Sequence, residues 1–492
     1  MIRFERPARS GVLLAAALLL AACPESWQRR AKPPTSALWV GARSAPVEPT
    51  DLSRLKEFGI EELVATVAEL DLAAPDGPLV RREELPELPS SVPVTLAVAG
   101  GWPGGDGEAA GARVAEAARR LRFELEGRGG LVTGLHFDLA EVASLASYAE
   151  FLKAVRGGLD RTLFLSASLS REWLERPDLE AVGRAVDFVV PFLYGQRIYE
   201  EEDARAWDFV ELERNLRRLE ELGTPYMLGV ITLGTATHLS AGGTVKSRRT
   251  GLSLQQILWN RSLKLRPGFS LEGVNRRVYA VAAERPTRVG KWELKTGESI
   301  RVVRAATSDL EELGRLLGAW DLSRHLGQVY YRLPAPGEAL SLSMENLMNA
   351  LDPTPASPDL ELDVQVQRRT GRGWLVRFSI TNRNGEITEL SLMDSNYLEA
   401  RCLGGVFGQR VDSGDFYRFD LYRTNPGGEI ERTFRRSDIL RLHVPILEGQ
   451  QTVTSGDVEV HVAGEPRLEL SGQFLLPDGR NLTLGPQPWP ET

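Results

Sequence analysis

Three side chains near the end of one apolar segment could carry out acid–base or ligand-binding chemistry. In the segment GLHFDLAE, His136 and Asp138 are two residues apart, and Glu141 follows three residues later. Side chains alternate between the two faces of a strand, so a strand here places His136 and Asp138 on one face and Leu135 and Phe137 on the other. A buried histidine or carboxylate is costly unless it is paired or used. The segment therefore predicts a polar site, with a satisfied polar network or a helix cap as the alternative.

Other segments end in residues that could join such a site. Tyr194 ends the apolar run AVDFVVPFLY, and Trp39 and Arg43 lie in and just after the run ALWV. A tyrosine at a strand end can donate a hydrogen bond to a ligand or pack over the end of a barrel. Aromatic and arginine side chains around one opening are typical of a sugar-binding cleft, and they are also ordinary packing. We take Tyr194, Trp39, Arg43 and His136 as candidate ligand-binding residues.

Several other classes of site are not indicated by the sequence. It contains no G-x-S-x-G elbow, no phosphate-binding Walker loop and no H-E-x-x-H helix. The five histidines are scattered, and the two cysteines, Cys23 and Cys402, are too few for a zinc cluster or a disulfide framework. We therefore expect no metal site and no cofactor.

Composition limits the remaining classes. The 492 residues are 42% hydrophobic and 26% charged, which is ordinary for a folded protein and argues against disorder for the bulk of the chain. Lys and Arg total 59 against 67 Asp and Glu, a net charge of −8. This acidic balance argues against wholesale nucleic-acid binding.

Apolar strand-like runs alternate with helical patterns from residue 37 onward. Seven such runs precede residue 234, and each is nearly continuous in apolar character, as strands buried on both faces are. Alternation over this length predicts an α/β fold with a parallel sheet, and we favour a (β/α)8 TIM-like barrel over residues 37–351. The run GQVYYRL at 327–333 is predicted to close the barrel, with an excursion at about 234–326.

The pattern changes after residue 351. Residues 352–358 are rich in proline and small polar residues and predict a linker. Residues 359–492 contain about seven alternating runs with turn signals and no long helical pattern, so we predict an antiparallel β-sandwich. A linker with few apolar groups separates two units, so we expect the β domain to fold alone.

The N-terminus predicts an exported protein. Residues 1–22 have a basic start, a short apolar core and small residues before a cleavage site, as a secretory signal has. The succession Leu20-Ala-Ala-Cys23 resembles the bacterial lipobox, which implies that Cys23 carries the lipid anchor. Residues 23–36 then form a polar tether. In lipoproteins a residue such as Pro24 after the cysteine, rather than aspartate, implies the outer membrane of the cell envelope.

The barrel segments together are similar to a known family. The runs ALWVG, GLHFDL, VDFVVPFLY and GQVYYRLP resemble bacterial family of unknown function 3142, regarded as glycoside-hydrolase-like barrels. That family carries an acidic D-F-D-like signature on strand four, and His136 stands at its first acid. More distantly, strands four and six resemble chitinase-type barrels, which have a Glu on strand four and a Tyr on strand six. Glu141 lies one position later than that Glu.

These expectations define a function. We expect an envelope lipoprotein whose barrel binds or hydrolyses carbohydrate, with a non-catalytic glycan-binding or structural lipoprotein as the alternative. Hydrolysis needs two carboxylates about 5–10 Å apart. Asp138 and Glu141 are the candidate catalytic residues, with Glu69 or Glu284 as possible second acids from other segments. The expected partners are the membrane, through Cys23, and a polysaccharide.

Overall fold

A computed structural model describes most of the chain after the N-terminal segment. It describes residues 35–490 apart from 42–43, 45–46, 48, 75–77, 82–91, 194–207, 253, 266–277, 304, 306, 336–337, 339, 352–356, 369–372, 385–387, 389–394, 434 and 477–479. The predicted signal, the lipidation residue Cys23, most of the tether, Arg43, Tyr194 and most of the linker lie outside the described residues.

The N-terminal two thirds of the chain, up to residue 351, contain the predicted parallel barrel. Its nine-stranded sheet consists of β1 (Ser36–Val40), β2 (Glu62–Leu70), β3 (Leu79–Arg81), β4 (Pro93–Trp102), β5 (Leu131–Val142), β6 (Phe164–Ser170), β7 (Phe188–Phe192), β8 (Tyr226–Ile231) and β16 (His325–Tyr331). Eight of these strands are parallel neighbours, and β1 pairs with both β2 and β16, which closes the barrel. Strand β3 adds to β2 as an antiparallel edge.

The described residues form eight α-helices, and all but α6 pack around the outside of this barrel. They are α1 (Pro49–Glu57), α2 (Gly107–Glu126), α3 (Leu145–Gly158), α4 (Leu179–Ala185), α5 (Phe209–Leu222), α6 (Leu254–Leu258), α7 (Thr307–Ala319) and α8 (Met344–Leu351). All except α6 contribute to one apolar core with the outward side chains of the strands, among them Leu135 and Phe137. This core buries the outer face of the parallel sheet, and a second cluster of inward side chains buries the inner face, as the continuous apolar runs require.

Local signals in the sequence set where the longer helices begin. Asp106, Ser144 and Asp208 each accept a hydrogen bond from the backbone N–H three residues later, at the starts of α2, α3 and α5. Such caps satisfy one of the free N–H groups of the first turn. Helix α5 ends at Gly223, whose φ of 67° is the left-handed conformation that glycine adopts without a steric penalty.

An inserted unit follows β8 and replaces the simple connection to the next barrel helix. It contains α6 and the strands β9 (Thr235–Leu239), β10 (Val245–Arg249), β11 (Leu263–Leu265), β12 (Val278–Ala283), β13 (Thr287–Val289), β14 (Trp292–Leu294) and β15 (Ser299–Val303). Five strands form an antiparallel sheet in the order β10-β9-β15-β12-β11, and β13 and β14 form a hairpin. The insert, residues 232–306, has its own apolar core. Helix α7, at 307–319 in the predicted excursion, packs with the barrel helices instead.

The C-terminal part is antiparallel and all-β, as predicted. One sheet contains β17 (Leu360–Arg368), β18 (Trp374–Asn382), β20 (Gly405–Val411), β24 (Thr452–Thr454) and β25 (Val458–Val462). The other contains β19 (Tyr397–Cys402), β21 (Arg418–Thr424), β22 (Ile430–Arg432), β23 (Ile439–His443), β26 (Leu468–Leu475) and β27 (Asn481–Trp489). The two sheets share one core that includes the buried thiol of Cys402.

These sheets hold more strands than the seven predicted runs. Strands β22 and β24 are three residues long, too short for an alternation to be recognised. Strand β27 contains Pro486 and Pro488 and lies at the edge of its sheet, where proline is tolerated.

The β-sandwich contacts the insert directly. Ile446 of the sandwich belongs to the apolar core of the insert, and Trp259 after α6 packs against the core of the sandwich. The Trp259 indole N–H donates to the Asp415 carbonyl at 2.5 Å, and the Leu254 N–H donates to Glu448 Oε1 at 3.0 Å. The insert therefore joins the barrel to the sandwich by apolar packing as well as by chain connection.

Within the described part of the chain, no helix combines the length and apolar character that crossing a membrane requires.

Candidate active site

The inside of the barrel is filled by side chains below its mouth. Inward residues of seven of the eight strands form a compact apolar cluster that includes Ala97, Phe164, Met227 and Val329. The void left among them is about 10 Å³, at the lower limit for one water molecule. A ligand can therefore enter only above this layer, at the carboxyl ends of the strands, where barrels of this kind carry their sites.

A chain of hydrogen bonds leads from this packed layer up to Asp138. Asp138 Oδ1 accepts from Ser168 Oγ at 2.7 Å, His136 Nε2 lies 2.9 Å from Ser168 Oγ, and His136 Nδ1 lies 2.9 Å from Ser166 Oγ. With Asp138 ionised, the Ser168 hydroxyl donates its hydrogen bond to the carboxylate, so its oxygen must accept from the His136 Nε2–H. His136 Nδ1 then accepts from Ser166. The chain fixes both the tautomer of His136 and the position of the Asp138 carboxylate.

His136 is neutral in this position. Its side chain is buried inside the barrel, and burial lowers its pKa from 6.5 to about 3. Because the imidazole is neutral and both of its nitrogens are hydrogen-bonded, it can be buried without an opposite charge nearby. His136 thus lies below Asp138, away from the open mouth.

Trp39 lies beside His136 as part of the same packed layer. Its indole N–H donates to Thr66 Oγ1 at 2.9 Å, and its ring meets those of His136 and Tyr331 edge-on, with centroids 5.3 and 5.0 Å apart. Trp39 is 2% exposed, so its ring supports the mouth from below. The half-buried rings of Phe192 and Tyr331, which sequence reasoning missed, lie above it with centroids 5.5 Å apart.

A β-bulge in β5 decides the direction of Glu141. Along β4, Ala97, Ala99 and Gly101 are two residues apart and share the inner face, and they pair with His136, Asp138 and Glu141 in that order. The register shifts between Gly100 and Gly101, so β5 holds one extra residue before Glu141. Regular alternation would turn Glu141 away from Asp138, and the bulge brings it back to the same face.

A second bulge does the same for Glu69 on β2. Thr66 pairs with Ala97 of β4, but Ala68 pairs with Val98, so one extra residue lies between them. Glu69 consequently pairs with Ala99, which itself pairs with Asp138. Glu69 and Asp138 therefore share one row and one face across β4.

This arrangement puts three carboxylates on one side of the mouth. Neighbouring strands are about 4.8 Å apart, so the backbones at Glu69 and Asp138 are about 10 Å apart. Glu69 and Glu141 are exposed and Asp138 is half-buried, so all three reach solvent. A sugar unit at the mouth would have carboxylates on one side and the rings of Phe192 and Tyr331 on the other.

The other predicted residues are placed differently. Glu284 lies in the insert, where its carboxylate pairs with Lys264 Nζ at 3.0 Å, and it is not part of the barrel rim. Arg43 and Tyr194 lie outside the described residues, so their predicted roles stay predictions. Among the described residues, no group of three or more His, Cys, Asp or Glu side chains is placed to hold a metal ion.

One buried acid inside the barrel was missed by sequence reasoning. Glu62 is the first residue of β2, and its Oε1 accepts from the hydroxyls of Thr95 and, at 2.6 Å, Thr133. Burial, partly offset by these hydrogen bonds, raises the pKa of Glu62 from 4.5 to about 7. Glu62 lies at the end of the barrel opposite the mouth, so it closes the barrel rather than contacting a ligand.

Known proteins resemble this chain through their structures. No family model matches it, and no curated protein matches it. A chitinase from Chromobacterium violaceum has 12% identity and a TM-score of 0.41, covering 65% of this chain and 98% of that one. The Bacillus cereus spore cortex-lytic enzyme SleL has 16% identity and a TM-score of 0.41, covering 64% and 73%.

Chitinase ChiA74 from Bacillus thuringiensis covers 88% of this chain and 99% of its own length, with 9% identity and a TM-score of 0.41. Chitinases are thus among the solved structures that this chain is similar to.

Proposed function

We propose that the barrel mouth binds and hydrolyses a polysaccharide. The observation that carries the proposal is the pair of β-bulges that turn Glu69 and Glu141 onto the face of Asp138. A barrel that needed only a packed end would gain nothing from exposing three carboxylates on one side of its opening. Glycoside hydrolysis needs two such groups on either side of the bond that is cleaved.

The three carboxylates have different surroundings, which suggests different roles. Asp138 is held by Ser168 and is half-buried, so it stabilises the positive charge that develops on the sugar ring. Glu141 is exposed at the rim and is the proposed general acid, which protonates the leaving oxygen. Glu69, across β4, is the proposed partner that activates water.

The neutral His136 supports this arrangement without exchanging a proton with the ligand. Its Nε2–H keeps Ser168 oriented, and Ser168 keeps Asp138 oriented. On the sequence alone, we add Tyr194 as the residue that donates a hydrogen bond to the ligand. Glycan binding without turnover is the alternative outcome at the same mouth.

We also propose that this activity belongs to the bacterial envelope. The supporting observation is the N-terminal sequence, in which a basic start, an apolar core and Leu20-Ala-Ala-Cys23 follow each other. A protein anchored through Cys23, with Pro24 after it, would act on polysaccharide at the outer membrane.

Turnover by the purified chain tests the proposal. Release of reducing ends from chitin and from peptidoglycan would be measured for the wild type, Glu141→Gln, Asp138→Asn and Glu69→Gln. Removing a general acid costs about 10²–10⁴-fold, so Glu141→Gln should lose at least 100-fold while retaining affinity. Glu150→Gln, which changes an exposed carboxylate on α3, is the matched control.

Thermal stability distinguishes a ligand-binding site from a polar network that only closes the end of the barrel. Asp138→Asn is nearly isosteric, so a ligand site should lose turnover with little change in melting temperature. A large drop in melting temperature, with no glycan protecting the wild type against heat, would reject the site. Heat protection by a glycan without release of reducing ends would favour the non-catalytic alternative.

A further inference from the structure

The charge of the chain is divided unequally between the insert and everything else. Residues 232–306 hold 14 of the 59 Lys and Arg and only 4 of the 67 Asp and Glu. The insert therefore carries a charge of +10, whereas the rest of the chain carries −18. An acidic protein with one strongly basic unit has a surface suited to a polyanion.

Much of this positive charge is at the surface. Arg261, Lys264, Arg285, Arg288, Lys291 and Lys295 are exposed in the structure, as are Lys246, Arg248 and Arg249 of the edge strand β10. Some are partly compensated, since Lys246 Nζ lies 2.8 Å from Glu298 and Lys264 Nζ lies 3.0 Å from Glu284. The three described acids of the insert cannot balance the exposed cations around them.

The cations of the β13–β14 hairpin adjoin those of β10. The Arg249 guanidinium lies over the Trp292 ring at 5.9 Å, and Lys291 precedes Trp292 in the chain. Glu298 accepts from both Lys246 and the backbone N–H of Lys295. The edge strand and the hairpin thus form one basic surface, which comprises Lys246, Arg249, Lys291 and Lys295.

The insert is positioned on the mouth side of the barrel. It begins directly after β8, at the carboxyl end of that strand, and Thr232 donates through its N–H to the Tyr331 carbonyl of β16 at 2.8 Å. Tyr331 belongs to the rim of the mouth. A partner bound by the basic surface would therefore lie beside the opening of the barrel.

We propose that the basic surface of the insert docks the protein on an anionic phospholipid bilayer, with the mouth side toward the membrane. The choice of a bilayer over another polyanion rests on the proposed anchor at Cys23. The 14 residues of the tether, 23–36, reach up to about 50 Å when extended. That length lets the chain turn its mouth side to the membrane although β1 starts at the opposite end of the barrel.

Electrostatics supports a preferred orientation rather than simple adhesion. Each Lys or Arg close to an anionic bilayer contributes about 1 kcal/mol, which is about a fivefold gain in partitioning. The remainder of the chain, at −18, is repelled by the same bilayer. The lipid anchor would hold the protein at the membrane, and the insert would decide which side faces it.

Vesicle sedimentation of the chain from residue 24 onward tests this surface independently of the anchor. Wild type would be mixed with vesicles of phosphatidylcholine alone and with 30% phosphatidylglycerol. The test variant is Arg249→Glu, Lys291→Glu and Lys295→Glu together. The matched control, Lys56→Glu, Arg113→Glu and Lys153→Glu, makes the same change of net charge at exposed positions of the barrel.

The expected result is binding to the phosphatidylglycerol vesicles that falls as salt rises, with at least a 30-fold loss in the test variant and little loss in the control. Equal losses in both variants would show that net charge alone matters and would overturn the proposal. So would a lack of preference for phosphatidylglycerol, or tight binding of polyphosphate or RNA without binding of vesicles. Melting temperatures of all three proteins confirm that they are folded.

Discussion

The buried acid at the closed end of the barrel should make the stability of this protein depend on pH. Glu62 is 3% exposed and its pKa is raised from 4.5 to about 7, chiefly because burial penalises the carboxylate. A raised pKa means that the folded state holds this proton more tightly than the unfolded state. Its contribution to stability is therefore complete below about pH 4.5 and is lost as pH rises through 7.

The size of the effect follows from the two pKa values. They differ by about 2.5, and each unit corresponds to about 1.4 kcal/mol, so ionised Glu62 costs about 3 kcal/mol well above pH 7. Glu62→Gln keeps the shape and an oxygen that can accept from Thr95 and Thr133. It removes the ionisation, so the variant should match the wild type near pH 4 and exceed it by about 3 kcal/mol near pH 9.

Urea unfolding from pH 4 to 9 measures this difference, since titrations common to both proteins cancel. Glu61→Gln is the matched control, because Glu61 is the exposed neighbour in the chain. The gain at high pH should appear in Glu62→Gln and be absent from Glu61→Gln, which removes a carboxylate that is not buried. Parallel curves for wild type and Glu62→Gln would show that Glu62 titrates normally and would refute the burial argument.

Three further outcomes are expected. The His136 imidazole, with its pKa lowered to about 3, stays neutral in the folded state, whereas in the unfolded state it takes up a proton below about pH 6.5. In urea unfolding, His136→Gln should therefore lose less stability than the wild type between pH 6 and 4. Equal losses would contradict this. Cys23→Ser should move the protein from the membrane to the soluble fraction of fractionated cells, and unchanged membrane association would disprove the anchor. Limited proteolysis should cut within 352–359 and leave two resistant fragments. The fragments should co-elute in gel filtration, because Ile446 of the sandwich packs in the core of the insert and Trp259 of the insert packs against the core of the sandwich. Cuts confined to the barrel would count against this boundary.

The barrel could be predicted from the sequence because the burial of each strand and helix is visible in the apolar pattern of its own residues. Runs such as ELVATVAEL and AVDFVVPFLY are apolar on both faces, and that pattern follows from parallel strands covered by helices. The inward direction of His136 and Asp138 follows from alternation along a strand, and the structure has them on that face. The closure by GQVYYRL could be predicted for the same reason.

The missed features depend on residues far apart in the chain. Glu62 begins a strand and resembles an ordinary polar end, and its burial is set by Thr95 and Thr133 on other strands. Neither β-bulge has a local signature, since a register shift exists only relative to the neighbouring strand. The charge separation of the insert could have been counted from the sequence once its limits were known.

The strand between the two bulges explains how the acids can share one opening. Strand β4 presents Ala99, Gly100 and Gly101 where β2 and β5 present Glu69, Asp138 and Glu141. Gly100 has a φ of 131°, and a Cβ there would lie 3.2 Å from the Leu70 carbonyl oxygen, so glycine is required. With no side chain longer than a methyl group between them, the carboxylates border an open trough. The extra residue on each flanking strand and Gly101 between them therefore form one arrangement. A Cβ at position 101 would lie 3.7 Å from the Glu141 Cβ, an ordinary contact, so Gly101→Leu should fill the trough beside Glu141 and abolish the protection of the protein by a glycan against heat.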